Sequence, residues 1–410
     1  MAKRPHYTSN ELIEAVKRKI SMPITQVTFS NDEILDFANE ELFLAQVPSI
    51  MQYHEEYLVF RHNIPLVSQI QKYDIPDRAI GMKLRDLFFK DGNGNLYEMT
   101  NTGASNQDYF QQNSFGVNIP RYFFVENNSI VLSTDVTNSA AGSLEMIYYL
   151  RPNSLVENER AAICTNFVKT LTINSASFSE GAGDTLKIDG HTITIPVQWE
   201  PGVPSGVSSA TDASKINQLI NALNIDGLTS TVSTNTITIK YENRNMEIVS
   251  SNPAGISVST KIGIECSHVP DHFTDRLLVD FLQTSGGHKT YVFDVRIPTG
   301  AISANTLFFD DSIVPKEFKM DDYICEQYEC IIPQVPSDLH NLLAERTCAR
   351  ILEALGDQAG LQTANAKIAE LEQRQATVID NRVEGAPRKV FARHSLLRYG
   401  KARKSRGSSL

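Results

Sequence analysis

"SNDEILDFANEELFLAQV", residues 30–47, decides how the rest of this chain is read, because it fixes one helix by its start and by its face. Ser30 and Glu33 form a capping box, in which hydroxyl and carboxylate each satisfy an orphan backbone N–H at the helix start. Ile34, Phe37, Ala38 and Leu42 then recur at helical spacing and give one apolar stripe. Pro48 is expected to end or bend this helix. Upstream, "TSNELIEAVKRKI" (8–20) repeats the device with Thr8 and Glu11.

Outward from this pair the pattern changes. From Tyr57, short apolar runs alternate with turn residues: "YLVFRHNIPLV", "YDIPDRAIGMKLRDLFFKDGNGNLYEMT", "RYFFVENNSIVLST", "LEMIYYLRP". These runs predict antiparallel strands, with "DGNG" and "ENNS" as hairpin turns. Residues 168–264 look like an inserted α+β module. "TLKIDGHTITIPV" places Leu186, Ile188, Ile193 and Ile195 in a hairpin around Asp189-Gly190. "DASKINQLINALNI" predicts a helix capped by Asp212 with Ile216, Leu219, Ile220 and Leu223 on one face. Strands resume over 265–335, including "KTYVFDVRIP" and "YECIIPQVP". Over 336–381, capped by Ser337, the chain predicts its longest helix, with a stripe of Leu339, Leu342, Leu343, Ile351, Leu352 and Leu355 that fades after Gly356 and Gly360. A bend at those glycines, or a reach beyond its own subunit, is the expected outcome of its length. The expected class is α+β: a helical core of amino-terminal helices and a long carboxy-terminal helix, an antiparallel sheet region (1–167) and the small inserted domain.

Charge is distributed unevenly. The chain of 410 residues carries a net −10, yet residues 382–410 hold nine Lys/Arg against Glu384, about +8, leaving about −18 on the remainder. A basic arm on an acidic body implies a charged partner for the arm. Arg388, Lys389, Arg393, Arg398, Lys401, Arg403, Lys404 and Arg406 interleave with Phe391, Leu396, Leu397 and Tyr399. Apolar and aromatic anchors argue for a pocketed protein surface, since such side chains dominate binding energy. A purely electrostatic nucleic-acid arm needs only the cations.

Signals for chemistry are sparse. Five scattered cysteines without a CxxC pair, and no apolar signal segment, predict reduced thiols in a cytosolic product. No apolar run is long enough to span a membrane. Cys266, His268 and His272 in "ECSHVPDHF" have the donor types of a zinc site but lack an evident fourth ligand, and packing is the favoured reading. Asp91, Asn93 and Asn95 alternate as in a calcium loop, but the glycine and terminal acid are misplaced, favouring a hairpin. Asp310-Asp311 and Asp321-Asp322 read as solvated loop charge. No nucleophile, P-loop or dinucleotide motif appears. The expectation is a protein without catalytic residues, cofactor or metal.

The opening "TSNELIEAVKRKI" and "TFSNDEILDFANEEL", then "YDIPDRAIGMKLRDLFFKDGNGNLYEMT", "FFVENNSIVLST" and "MIYYLRPNSLV", followed by "LLAERTCARILEALGDQAGLQTANAKIAELEQ" and "IDNRVEGAPRKV", resemble the head-to-tail adaptor (connector) proteins of tailed bacteriophages. The likeness covers roughly residues 8–157 and 325–410. It implies a virion protein, made in the bacterial cytoplasm, that forms a homo-oligomeric ring, usually of about twelve copies. The ring would sit under the portal protein, with the arm docking on the portal through the twelve residues named above. Its far side would receive tail tube, nozzle or other tail proteins, and genomic DNA would pass through the lumen without specific binding. An acidic lumen would repel the phosphate backbone and let DNA slide. Other readings are a tail or baseplate ring component, a DNA-binding protein using the basic arm and, least favoured, a virion-borne cell-wall hydrolase.

Overall fold

The computed structural model describes residues 7–20, 29–67, 70–103, 122–132, 142–174, 184–195 and 209–379. The first two helices, α1 (Ser9–Lys19) and α2 (Asn31–Glu41), start where the caps place them, and both capping boxes are reciprocal. Loss of either cap hydroxyl removes a partner from one orphan donor. Ser30→Ala or Thr8→Ala is therefore expected to cost about 1 kcal/mol in the urea unfolding midpoint. The stripe residues Ile34, Ala38 and Leu42 are buried. The break expected at Pro48 takes a different form. The helical run passes through a π turn, Leu42–Gln46, into α3, Val47–Tyr53, with the proline in its first turn. The proline follows Val47, whose N–H reaches back five residues to Leu42 O, and the wider π turn accommodates a residue that cannot donate.

Two four-stranded sheets follow. In one, Val59–Pro65, Gly142–Leu150, Ala79–Asp91 and Leu96–Glu98 pair antiparallel in that order. In the other, Lys72–Asp74, Ser129–Leu132 and Tyr122–Glu126 pair antiparallel, and Thr100–Asn101 joins the edge in parallel. The "ENNS" turn carries Asn127 and Asn128 at φ 47° and 60°, the left-handed pair that a two-residue hairpin requires. In "DGNG", Asp91 Oδ1 accepts from the backbone of Asn93 (2.9 Å) and Asn95 (2.8 Å), so its carboxylate closes a hairpin.

A ten-stranded sheet dominates the remainder. Its main path runs Thr290–Arg296, Leu278–Leu282, Tyr323–Glu326, Ala162–Ile173, Lys261–Cys266, Thr306–Asp310 and Ile302–Ser303. The hairpin Leu228–Ser233 and Thr236–Tyr241 attaches to Ala162–Ile173. The predicted Asp184–Ile188 and His191–Ile195 hairpin forms with Asp189 and Gly190 at positive φ. Leu186, Ile188, Ile193 and Ile195 are buried with Ile216 and Ile220 of the helix α4, Ser209–Ala222. That helix begins before Asp212, which lies within its first turn rather than at its cap. Residues from 162–173, 184–195, 256–266 and 278–324 share this one core.

Two strands divide that core from the helical one. In Leu278–Leu282, Val279 and Phe281 enter the sheet core, whereas Leu282 enters the core of α1 and α2. In Tyr323–Glu326, Ile324 faces the sheet core, and Tyr323 and Cys325 face the helices. Alternate side chains point to opposite faces of a strand, so these strands are buried on both sides.

The single long helix expected over 336–381 is corrected to two. A 3-10 turn, Ser337–Leu339, precedes α5 (His340–Leu355), and Ser337 makes no capping bond. Gly356 ends α5 in the left-handed region at φ 73°, a conformation glycine adopts at little cost. Asp357 then accepts from Gly360 N at 3.0 Å and starts α6, Gln358–Ile379. The two pack back to back: Arg346 reaches Glu372 at 2.8 Å, and Cys348, Ala349 and Leu352 pack with Ala364. Leu355, expected on the stripe, is 43% exposed at the turn. The α5 stripe instead packs on α1 and α2, with Lys19 paired to Glu345, and Arg350 to Glu41 at 2.5 Å.

Candidate functional site

The twelve arm residues, Arg388, Lys389, Phe391, Arg393, Leu396, Leu397, Arg398, Tyr399, Lys401, Arg403, Lys404 and Arg406, lie outside the described residues. What the structure describes is the base from which the arm departs. That base joins both ends of the chain. Ser9 N donates to Ile331 O at 2.7 Å, Gln46 Nε2 to Leu339 O at 3.0 Å, and Tyr7 N to Nδ1 of buried His340 at 3.0 Å. His340 therefore carries its proton on Nε2, 3.2 Å from Val335 O. Asn39 holds the backbone of Leu155 in both directions, at 3.1 and 2.7 Å. These polar contacts hold the start of α5 and the segment leading into it on the amino-terminal helices.

A second locus grows from "YDIPDR". Arg78 is 5% exposed and donates to Asp280 (3.0 Å), Asp294 (2.6 Å) and Asn153 (3.1 Å). Its guanidinium carbon lies 4.5 Å from the centre of the Phe293 ring and 4.2 Å from that of Tyr328. A bulge makes this possible. Opposite Asp280 the partner strand spends two residues, Phe293 and Asp294, between the pairs Phe281 with Val292 and Val279 with Val295. The extra residue, with Asp294 at φ 59°, brings consecutive side chains onto one face, which regular pleating forbids. Asp280 is wholly buried and also accepts from Asn153 Nδ2 (2.9 Å) and Asp294 N (3.0 Å). Burial pushes its carboxyl above the usual range, against the pull of Arg78 and its hydrogen bonds. Asp74, Asp77 and Asp294 line a cleft of about 520 Å³ over this hub, with Tyr148 and Tyr328 among its walls. The arrangement is a clamp with an acidic, aromatic mouth, suited to binding and cross-linking.

The sequence singled out neither Arg78 nor its partners. Only the acid-rich, proline-containing "YDIPDR" hinted at a fixed turn, and the carboxylates lie 202 and 216 positions away.

The other candidates resolve differently. Cys266 turns its thiol into the core, 3.5 Å from Ile264 O, whereas the half-buried His268 bonds Glu159 O at 2.9 Å. They do not converge with His272. His272 instead lies with Glu326 and Glu329, their ligand atoms within 4.8 Å of one another. Arg160 already pairs with both carboxylates, at 2.6 Å from Glu329 and 3.3 Å from Glu326. Burial, followed by Arg160, holds the His272 imidazole below its usual pKa, so it is mostly neutral at pH 7. Two acids read as solvated charge are structural. Asp322 is buried and accepts from Thr284 N (2.9 Å), Lys319 N (3.1 Å) and Tyr291 Oη (3.0 Å). Asp311 pairs with Lys169 at 2.5 Å and Arg244 at 2.6 Å. Among the described residues, no helix is long and apolar enough to cross a membrane.

Residues 7–171 match the family model described as SU10 adaptor protein, a phage head-to-tail adaptor family. No curated protein matches the chain.

Proposed function

We propose, from the premise that residues 7–171 carry the pattern of a phage head-to-tail adaptor family, that this protein is a virion structural subunit joining capsid to tail. Copies assemble into a ring under the portal, about twelve in number. The basic arm docks on the portal, tail proteins engage the opposite side, and the genome passes through the lumen. The family match is the observation that carries the reading. The packing of α5 on α1 and α2 supports it, because the helix pair that precedes residues 382–410 then rests on the matched region.

The arm supplies the anchor. Its cations meet acidic portal patches while Phe391, Leu397 and Tyr399 fill pockets between portal subunits. Residues 380–410 can span at most about 100 Å when extended. Each arm contributes a few kcal/mol, and tethered copies reinforce one another because each later contact is intramolecular. Deletion of residues 386–410 tests this reading with purified portal particles. The truncated protein is expected to lose at least about tenfold in apparent affinity, while its circular dichroism and melting curve stay those of the full chain. Undiminished portal binding would remove the anchor.

A further inference from the structure

The Ala162–Ile173 strand crosses the end of the family-matched region, and Lys261–Cys266 is its antiparallel neighbour, with Cys164 directly opposite Cys266. The backbone bonds define what kind of pair this is. Cys164 N donates to Asp322 O at 2.8 Å and Cys266 N to Asn305 O at 2.7 Å, so neither amide is spent on the other cysteine. Ser267 N donates to Ile163 O at 2.9 Å, on the next rung of the ladder. This is the pattern of a non-hydrogen-bonded pair. In a regular ladder such a pair has Cα atoms about 4.5 Å apart with side chains on one face, inside the roughly 4.4–6.8 Å range a disulfide needs; here the register shifts only beyond the pair, between Cys164 and Asn166. Both side chains enter the same core, 1% and 3% exposed. The two thiols are free and make only weak contacts, Cys164 with Asn166 O at 3.9 Å and Cys266 with Ile264 O at 3.5 Å. Little is lost if they bond to each other.

We propose that Cys164 and Cys266 are a dithiol poised to close into a cross-strand disulfide on reaction with a small-molecule disulfide oxidant. The thiolate of one cysteine attacks one sulfur of the oxidant, forming a mixed disulfide and expelling one thiolate. The thiolate of the other cysteine then attacks the protein sulfur of that mixed disulfide, forming the protein disulfide and expelling the second thiolate. The protein gives up two protons and two electrons, and the oxidant leaves as two thiols. Burial pushes the Cys266 thiol up to about 12 and that of Cys164 higher still. Thiolate is therefore scarce at both positions, and the reaction is slow while the sheet stays closed.

The bond would tie the family-matched region to the far end of the 168–264 segment, closing a loop of about 100 residues. Loops of that size gain most from a cross-link in the chain-entropy account. A particle leaving a reducing cytosol for oxidising surroundings meets the required chemistry. That timing rests on the virion reading, but the disulfide itself does not.

The full-length protein, purified under reducing conditions, is incubated with oxidised glutathione, denatured, alkylated and mapped by mass spectrometry without reduction. The five alkylatable thiols are expected to fall to three, with one linked peptide pair containing Cys164 and Cys266. Cys164→Ser and Cys266→Ala, made separately, are each expected to lose that pair. Five thiols retained in the wild type, or a linkage through other cysteines such as Cys325 with Cys330, would overturn the proposal. The wild-type map decides the matter even if a variant folds poorly. Because portal particles are absent from the assay, its outcome is independent of whether the arm binds a portal.

Discussion

Replacing Arg78 by methionine is expected to destabilise the fold by about 3–5 kcal/mol, because it leaves a buried carboxylate without its cation. Methionine roughly keeps the stem volume, so the loss is electrostatic rather than a cavity. Asp280 has no solvent to turn to, whereas Asp294 is 44% exposed and can rehydrate. The cost should depend on pH. The folded-state pKa of Asp280 lies above its ordinary value because of burial, and Arg78 moderates that rise. Without Arg78 the rise is larger. A raised folded pKa contributes stability that is fully present below the unfolded pKa of about 4 and is lost as pH rises through the folded value. The deficit of Arg78→Met relative to wild type should therefore be smaller at pH 5 than at pH 8. Adding Asp280→Asn should recover part of it, since the amide needs no counter-charge. Urea unfolding of the three proteins at the two pH values measures this. An equal deficit at both, unrelieved by the second change, would mean that Arg78 acts through packing alone.

Phe281→Ala should be comparably severe, about 3–5 kcal/mol. Phe281 is fully buried, with ring centroids 5.2 Å from both Phe309 and Phe318 at angles of 69° and 80°. Edge-to-face contacts of this kind add to the area term. Its neighbours Asp280 and Leu282 face away from the sheet core, so the substitution probes that core by itself. Phe281→Leu should lose much less, because most of the volume remains. Thermal unfolding checks the order. Equal losses for alanine and leucine would point to ring geometry rather than volume as the stabilising element.

Much of the local structure is legible in the sequence. Thr8 with Glu11 and Ser30 with Glu33 start their helices as capping boxes do, because the partners lie three residues apart and need no tertiary contact. Asn127-Asn128 and Asp189-Gly190 turn their hairpins because the left-handed backbone is a property of those residues. The division of the last helix is half visible. Gly356 and Asp357 are a stop and a start side by side, yet helix-forming residues on either side, with the stripe resuming weakly at Ile368 and Leu371, suggest one long rod. Packing of Cys348, Ala349 and Leu352 on Ala364 rewards the fold-back that the stripe alone leaves open.

The sequence by itself determined the starts of α1 and α2, the hairpin turns, the α+β class and the separation of a basic arm from an acidic body. All of these follow from residues within a few positions of one another or from simple addition of charge. Only the tertiary structure decided that Arg78 would clamp Asp280 and Asp294, that Cys164 would face Cys266, and that strands such as Leu278–Leu282 would be shared by two cores. The physical reason is range. A carboxylate two hundred residues from its guanidinium, or a thiol one register step from pairing with the wrong neighbour, has no local propensity to announce it. Such contacts exist because the closed sheets exclude water and leave buried polar groups only protein partners within reach.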